Sequence, residues 1–271
     1  MKYLITRRRF LQAAGLAALT AAAGSLTACG KAESDWEYIS GRGKLVIGMT
    51  IFDPMNYYDD SGKLVGFDTE LAQAACEKLG IEAEFQEIDW DNKVIELNSK
   101  NIDCIWNGMT VTDDLAKSID FSITYSGNMQ VCVIRSSDAG KFTDIASVNA
   151  AGVKLGAEAG SAGEAAAQSN FPNAAYTSMG TQRDCLTELE SGTLDVGVMD
   201  YVMAVASTGD GTSYTDLQVI DGLELSKEEY AVGLRKGSDF TAKLNETLQA
   251  LSDEGKFKEL QEKYPSVMVT L

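Results

Sequence analysis

The chain has 271 residues, 45% of them hydrophobic, a formal net charge of −17 and no histidine. An acidic surface repels phosphate backbones and anionic lipid headgroups, so nucleic acid is a poor candidate partner and a cationic or zwitterionic ligand is favoured. Without histidine the chain lacks the commonest general base and metal ligand. We therefore predict no catalytic residue, no metal and no cofactor, in a chain long enough for two medium lobes.

The first 28 residues are predicted to be a signal peptide. Residues 7–9 are three arginines, and an apolar run of mostly Ala, Leu and Gly occupies residues 10–26. This is the charged and apolar pattern of an export signal, and the run is short for a membrane span. Residues 6–12 also fit the twin-arginine export pattern, although general secretion remains an alternative. Removal of residues 1–28 deletes four basic and no acidic residues, which changes the net charge from −17 to −21.

The sequence Leu-Thr-Ala-Cys at residues 26–29 resembles a bacterial lipobox. It predicts cleavage before Cys29 and lipid attached to the Cys29 thiol, with each buried methylene contributing about 0.8 kcal/mol to membrane binding. Residues 29–42, which are mostly polar, would then form a flexible, lipid-anchored tether. The expected location is the outer face of the cytoplasmic membrane.

From residue 44 onward, short apolar runs alternate with helical patterns. Strands are predicted at 45–49, 82–88, 103–106, 154–157 and 195–199. Helices are predicted at 68–80, 91–99, 161–169, 181–191, 240–253 and 256–264, the first capped by Asp68 and ended by Gly80. This alternation favours βαβ units and mostly parallel sheets, hence an α/β fold.

The chain is predicted to cross twice between two lobes, near residues 125–128 and 225–229. Lobe 1 would comprise residues 43–127 plus 229–271, and lobe 2 residues 128–228. In open α/β sheets the ligand binds at the carboxyl ends of the strands, which places it in the cleft between the lobes.

Four cysteines follow Cys29, namely Cys76, Cys104, Cys132 and Cys185, and their spacings do not match zinc sites. They lie in apolar strands or on apolar helix faces, which favours buried, free thiols. Disulfides remain an alternative in an exported protein.

Three features indicate a binding site. Residues 106–112 are predicted as a strand that ends in a Gly turn and opens a helix, which favours an anion at the free N–H groups. Residues 158–163 are the same arrangement in the second lobe. Asp200 follows an apolar strand directly, where its carboxylate can hold an ammonium group or cap a helix.

Seven short motifs in this order resemble the polar amino-acid family of ABC-transporter solute-binding proteins (bacterial extracellular solute-binding proteins, family 3). They lie at residues 54–57, 66–68, 108–112, 120–122, 159–161, 198–200 and 233–239, and the resemblance covers about residues 43–265. It implies a two-lobed, periplasmic-binding-protein-like fold (type II) that closes on one amino acid by hinge motion. It also implies a monomer that delivers the ligand to an ABC permease with ATPase subunits.

The resemblance also implies roles for individual residues. Phe52 and Trp90 match aromatic positions that enclose the ligand, and Asp200 matches the carboxylate that pairs with the α-ammonium. Gly108 and Thr110, with Ser161 and the N–H groups after it, match donors to the α-groups, whereas Phe67 and Asp68 match structural positions, a packing anchor and a helix cap. The predicted ligand-binding residues are Phe52, Trp90, Asn107, Gly108, Met109, Thr110, Thr112, Leu115, Glu158, Gly160, Ser161, Ala162 and Asp200.

The chain departs from the family pattern at Leu115, where the family has an arginine that grips the α-carboxylate. Loss of one partner of a buried charge pair costs about 2–5 kcal/mol, so substitute donors are needed. The two helix N-termini and Lys117 are the candidates. Glu158 stands where the family more often has a neutral or basic residue, so the cleft is predicted to be unusually acidic.

Three functions therefore remain open. The first is capture of an amino acid, possibly a basic one, by closure of the lobes. The second is capture of an amine or other cation that has no carboxylate. The third, from another class, is a dehydratase-like enzyme that uses Glu158 as its general acid, although a fold alone does not imply a chemistry.

Overall fold

A computed structural model of the protein describes residues 34–271. Its strands are β1 Lys44–Met49, β2 Tyr57–Tyr58, β3 Leu64–Val65, β4 Glu82–Glu87, β5 Cys104–Ile105, β6 Ile119–Phe121, β7 Ser126–Arg135, β8 Lys154–Glu158, β9 Ala175–Met179, β10 Val196–Asp200, β11 Leu217–Tyr230, β12 Gly233–Arg235 and β13 Met268–Val269. Its α-helices are α1 Asp35–Arg42, α2 Phe67–Leu79, α3 Lys93–Asn98, α4 Ile145–Val148, α5 Ala162–Asn170, α6 Gln182–Ser191, α7 Tyr201–Ser207, α8 Phe240–Asp253 and α9 Lys256–Lys263. Short 3₁₀ helices lie at Trp90–Asn92, Leu115–Lys117 and Ser136–Asp138.

The strands form two main sheets, which confirms the predicted two-lobed α/β fold. The sheet of lobe 1 has the order β4-β1-β5-β12-β6, and the sheet of lobe 2 has the order β11-β7-β10-β8-β9 with β13 beside β7. The prediction of mostly parallel sheets was wrong. Only β4-β1-β5 and β10-β8-β9 pair in parallel, because β6, β7, β11 and β12 belong to the segments that run back and forth between the lobes and pair antiparallel.

The two segments predicted to connect the lobes are strand residues rather than loops. Strand β7 begins at Ser126 and strand β11 ends at Tyr230, and these two residues face each other in one antiparallel ladder. The ladder continues to the pair Arg135 and Leu217, so the crossings lead into a long antiparallel pair of strands within the lobe 2 sheet. Hydrogen bonds between the two crossings hold them at a fixed distance.

Helix α2 shows how local sequence determines one predicted element, with one correction. Its apolar face is buried, and Gly80 ends it in the left-handed conformation, as predicted. Asp68, however, is not its cap, because the N-cap position is Gly66 and no side chain caps the helix. Asp68 lies in the first turn and is fully buried, with contacts to the cleft described below. Phe67 is the predicted packing anchor and stacks on Tyr125, with ring centroids 6.3 Å apart.

The four cysteines after Cys29 are free and buried, which confirms the preferred interpretation. Burial raises the pKa of the Cys76 and Cys132 thiols to about 12. These side chains therefore serve as small apolar groups in the core.

Residues 34–42 are not the flexible tether that their polarity predicted. Ser34 and Glu37 form a capping box that starts helix α1. Trp36 stacks on Phe240 with ring centroids 5.7 Å apart, and Ile39 is fully buried. The apolar stripe of this short helix supplies the packing that composition alone does not reveal.

The predicted signal peptide, Cys29 and the start of the predicted tether lie outside the described residues. Within residues 34–271, no helix is long and apolar enough to span a bilayer.

Candidate functional site

A cavity of about 270 Å³ lies between the two lobes. All the predicted ligand-binding residues line it, from Phe52 and Trp90 in lobe 1 to Glu158 and Asp200 in lobe 2. Five further residues that the sequence did not single out also line it, namely Thr50, Lys93, Asp114, Ala165 and Gln182. The carboxyl ends of β1, β5, β8 and β10 lead directly into these lining residues.

Phe52 and Trp90 form the aromatic part of the wall. Phe52 follows β1 and is 3% exposed, and Trp90 begins a 3₁₀ helix and is 7% exposed. Asp89 caps this short helix by accepting a hydrogen bond from the Asp91 amide, which orients the Trp90 ring toward the cavity. An aromatic wall suits the aliphatic part of a solute, with Trp90 also able to face a cation.

The loop at residues 106–112 differs from its prediction, because no α-helix opens there. A 3₁₀ turn, Leu115–Lys117, is the first helical element after it. The Gly108 N–H donates to Asp68 Oδ2 at 2.7 Å, and the Asn107 side chain is used entirely by Thr50 and Asn56. These groups build the loop, so they are not available as donors to a ligand anion.

Asp68 supports this loop from inside lobe 1. Its Oδ2 also accepts a hydrogen bond from the Tyr125 hydroxyl at 2.9 Å. Burial raises the pKa of Asp68 to about 7, against the opposing effect of these two donors. The side chain therefore connects the cavity loop at Gly108 to Tyr125, the residue just before crossing strand β7.

The loop at residues 158–163 does open a helix, as predicted. Ser161 caps α5 by accepting a hydrogen bond from the Glu164 amide at 3.1 Å. Glu164 in turn accepts from the Gly160 amide at 2.7 Å. The amides of Ala162 and Gly163, in the first turn, donate to no other described residue. The α5 N-terminus is thus a genuine source of free donors beside the cavity.

Asp200 is 6% exposed and occupies the N-cap position of α7, but its side chain does not cap the helix. Its carboxylate instead accepts hydrogen bonds from four side chains: Asn128, Gln130, Gln182 and Tyr230. Burial raises the pKa of Asp200 to about 7, and the nearby Glu228 carboxylate acts in the same direction. A cation placed beside Asp200 would relieve both effects.

Glu228 is a third carboxylate, next to Asp200 but outside the cavity lining, and the sequence did not single it out. Its Oε2 accepts hydrogen bonds from the Thr110 hydroxyl at 3.0 Å and from the same Asn128 and Gln130 amide groups that bind Asp200. Glu228 lies on the crossing strand β11, so it connects that strand to the lobe 1 cavity loop. The alternation of apolar and polar residues along β11 does not indicate a role for Glu228, because the hydrogen-bond partners of Glu228 are about 100 residues away in the chain.

Glu158 is 3% exposed at the end of β8 and faces the cavity. Burial raises its pKa to about 8, and the Asp200 carboxylate adds to that rise. Two buried carboxylates in one small cavity make a strongly acidic site, as the sequence predicted. Such a pair is stabilised by a ligand that brings positive charge.

Lys93 is the one cation among the described residues that line the cavity. It is 5% exposed, and its ammonium donates to the carbonyl oxygens of Trp90 at 3.1 Å and Gly160 at 2.7 Å. The sequence held a signal for it, since Lys93 lies four residues before the buried Leu97 on the apolar face of the predicted helix. Lys117, the predicted substitute cation, is 74% exposed, pairs with Asp114 and does not line the cavity, so that prediction was wrong.

The cleft is closed in this structure. The Lys93 ammonium bridges the lobes through Gly160, and Arg183 of lobe 2 forms an ion pair with Asp53 of lobe 1 at 2.9 Å. Gly160 has a φ of +67°, and a Cβ on it would lie 2.7 Å from Asp91 Oδ1. The two lobes therefore meet at backbone distance beside the cavity.

A solute-sized cavity enclosed by two α/β lobes defines the class of two-lobed binding proteins. Residues 45–267 match the bacterial extracellular solute-binding proteins, family 3, and the chain belongs to this family. The predicted class, a binding protein and not an enzyme, is confirmed by this membership.

Relatives with reported ligands are similar over most of the chain. The arginine-binding extracellular protein ArtP of Bacillus subtilis is 30% identical over 245 residues, which cover 89% of this chain and 92% of ArtP. An amino acid ABC transporter substrate-binding protein of Streptococcus pneumoniae bound to L-arginine is 27% identical, with a TM-score of 0.78 over 88% of this chain and 100% of that chain. An ABC uptake transporter substrate binding protein of Streptococcus pneumoniae with bound histidine is 33% identical, with a TM-score of 0.77 over 85% of this chain and 96% of that chain.

Proposed function

We propose that this protein is the solute-binding component of an ABC importer and that it captures a basic amino acid between its lobes. The observation that carries the proposal is the charge of the cavity. Glu158 and Asp200 are both at least nine-tenths buried there, against the single buried cation Lys93. When both are ionised they exceed Lys93 by one negative charge, and Glu228 next to Asp200 and the exposed Asp114 add to this excess, so the site favours a zwitterion with an extra cationic group.

The raised pKa values of the two carboxylates support a cationic ligand in particular. Without a ligand, burial holds the pKa of Asp200 at about 7 and that of Glu158 at about 8. A bound cation favours the ionised forms, so binding releases protons and affinity increases with pH over this range. The relatives that bind arginine and histidine agree with this choice of ligand class.

Asp200 is the residue we propose for the α-ammonium, and Glu158 for the cationic side chain. Phe52 and Trp90 would enclose the aliphatic chain between these two charges. The ligand would meet one lobe first and closure would add the contacts of the other, after which the closed form docks on a permease with separate ATPase subunits. Export, lipid attachment at Cys29 and a location on the outer face of the cytoplasmic membrane belong to the same proposal, which rests on the motifs of residues 1–29.

A second candidate is an amine that has no carboxylate. The observation in its favour is the loss of lobe 1 donors, since Leu115 is uncharged and the Gly108 amide is already used by Asp68. An amine would still pair with Asp200 and Glu158. The two candidates differ only in whether the site recognises an anionic group.

Isothermal titration calorimetry of the purified protein against the twenty amino acids and their decarboxylated amines tests both candidates. We expect arginine or another basic amino acid to bind most tightly, and Asp200→Asn to weaken that binding about 30-fold or more. Tight binding of amines alone would favour the second candidate. Binding of neither set, or unchanged binding by Asp200→Asn, would contradict the proposal.

A further inference from the structure

The cavity holds a cation whose role the acidic character of the site does not explain. Lys93 is on the 3₁₀–helix segment of lobe 1, yet its ammonium reaches the Gly160 carbonyl of lobe 2 at 2.7 Å. Its second acceptor is the Trp90 carbonyl, and its ammonium also lies 4.9 Å from the centre of the Trp90 ring. An ammonium has three N–H donors, and these contacts use two of them. The third donor has no hydrogen-bond partner among the described residues.

A buried ammonium with an unused donor is costly, and the structure shows that cost. Burial lowers the pKa of Lys93, against the opposing effect of four nearby carboxylates, those of Glu158, Asp91, Glu164 and Asp89, none of which forms an ion pair with it. The two carbonyl acceptors solvate the charge but do not neutralise it. An anionic group from the ligand would do both.

The neighbouring backbone offers donors for the same anion. Gly160, which Lys93 contacts, is two residues before Ala162, and the amides of Ala162 and Gly163 have no partner among the described residues. Helix α5 has nine residues, so its N-terminus carries a substantial positive dipole end. Lys93 of lobe 1 and Ala162, in the first turn of α5 in lobe 2, both line the cavity on either side of the Lys93–Gly160 contact.

Two of the lobe 1 donors predicted for an anion are occupied, and a third is replaced by an apolar side chain. The Gly108 amide donates to Asp68, the Thr110 hydroxyl donates to Glu228, and position 115 is a leucine. Lys93 is consequently the strongest donor left on the lobe 1 side of the cavity.

We propose that Lys93 determines specificity by binding the ligand's carboxylate together with the first turn of α5. This inference rests on the proposed function, since it assumes that the ligand is an amino acid. This carboxylate-binding site is complete only when the lobes are closed, because Lys93 and α5 belong to different lobes. Recognition of the carboxylate and closure of the cleft are thereby the same event.

Two ligands that differ only in the carboxylate test this role. Arginine and agmatine, its decarboxylated analogue, are titrated calorimetrically into wild type, Lys93→Met and the control Lys117→Met. Met preserves the length and apolar stem of Lys93, and Lys117 is an exposed lysine that does not line the cavity. We expect wild type and Lys117→Met to bind arginine about 30-fold or more tightly than agmatine. We expect Lys93→Met to lose that preference while its agmatine affinity changes less than about threefold.

The outcomes separate this inference from the proposed function. If wild type binds arginine and agmatine equally, the carboxylate is not recognised and the role of Lys93 is overturned, a result that does not depend on whether the variant folds. If Lys93→Met weakens both ligands equally, Lys93 only holds the lobes together, which also overturns the inference but leaves the proposed function intact. If wild type binds another amino acid more tightly than arginine, the same titrations are made with that amino acid and its decarboxylated amine in place of arginine and agmatine, and the same two results overturn the inference. Failure of wild type to bind any amino acid overturns both.

Discussion

The buried carboxyl group of Glu158 is unfavourable for the stability of the unliganded binding site. Glu158 ends a strand and is buried, and the Gln182 amide, which donates to Asp200, only partly offsets the effect of that burial on the Glu158 pKa. The protein thus keeps an acid with a pKa of about 8 in its cavity. Binding sites often hold such unfavourable groups because the ligand, when it arrives, supplies the missing interaction.

Glu158→Gln should therefore raise the stability of the unliganded protein and at the same time lower its affinity for basic amino acids. Above pH 8 the variant has no buried charge at this position, so we expect its unliganded melting temperature to be about 3 °C or more above that of wild type. We expect its affinity for a basic amino acid to fall about tenfold or more, with little change for a neutral one. Thermal melts at pH 8.5 and calorimetry measure the two effects.

Glu190→Gln is the matched control, since Glu190 is exposed on α6. It should change neither the melting temperature nor the affinity. A Glu158→Gln variant with wild-type preference for basic ligands would contradict the role assigned to Glu158.

At the scale of the elements, the closest contact between lobes is made by the turn before α5. Gly160 has a positive φ, and its Cα faces the backbone of Asp91, which lies between Trp90 and Lys93 in lobe 1. A Cβ atom at position 160 would lie 2.9 Å from the Asp91 Cα atom, so a side chain there would have to displace the Asp91 backbone. Closure of the cleft depends on the absence of a side chain at this point.

Gly160→Ala should weaken ligand binding about tenfold or more, because the methyl group collides with Asp91 only when the lobes are closed. Small-angle scattering should then show no decrease in the radius of gyration when saturating ligand is added. The left-handed φ adds a cost of about 1–2 kcal/mol that also acts on the unliganded protein.

Gly140→Ala is the control for a glycine in a turn, since a Cβ there would contact nothing within 4 Å and its φ is not in the positive range. It should leave affinity and scattering unchanged. Normal binding by Gly160→Ala would show that the ligand is held without the closed contact described above.

The elements also show which parts of the molecule local sequence could predict. Helices such as α2 and α6 follow from apolar spacing and a terminal glycine, and those signals are contained within about twelve residues. Lys93 and Glu228 were missed because their partners at Gly160 and Thr110 are 67 and 118 residues away in the chain. Asp68 was predicted as a cap for the same reason, since its true partner is the Gly108 amide, 40 residues away. The family motifs predicted the lining residues well, but motifs assign positions and do not show which donors are already used.

For the whole molecule, three buried carboxyl groups make stability depend on pH. The folded-state pKa values of Asp68, Glu158 and Asp200 are raised to about 7, 8 and 7 by burial. A carboxyl group with a raised folded pKa stabilises the fold below its unfolded pKa and loses that contribution as pH rises through the folded pKa. Carboxyl groups with a lowered pKa, such as Asp120 and Asp144, change the stability of the fold only below about pH 4. They are already ionised at the higher pH values where Asp68, Glu158 and Asp200 titrate.

We therefore expect the melting temperature of the unliganded protein to fall by about 3 °C or more between pH 5.5 and pH 8.5. A saturating basic amino acid should reduce this fall, because the ligand's positive charge stabilises ionised Glu158 and Asp200. Differential scanning calorimetry with and without ligand measures both slopes. A melting temperature that rises steadily over this range would contradict the assignment of these carboxyl groups as buried groups with raised pKa values.

Helix α1 packs on lobe 1 at the N-terminal end of the described residues. Trp36 stacks on Phe240 of lobe 1, and Arg235, the last residue of strand β12, forms an ion pair with Asp35. The polypeptide that precedes residue 34 is consequently attached to lobe 1 through a docked helix. If the chain is held at a membrane by its N-terminus, lobe 1 keeps its orientation there, and lobe 2, whose sheet includes β7 and β11, moves relative to it about the two crossings. A permease that distinguishes loaded from empty receptors would then read the position of lobe 2.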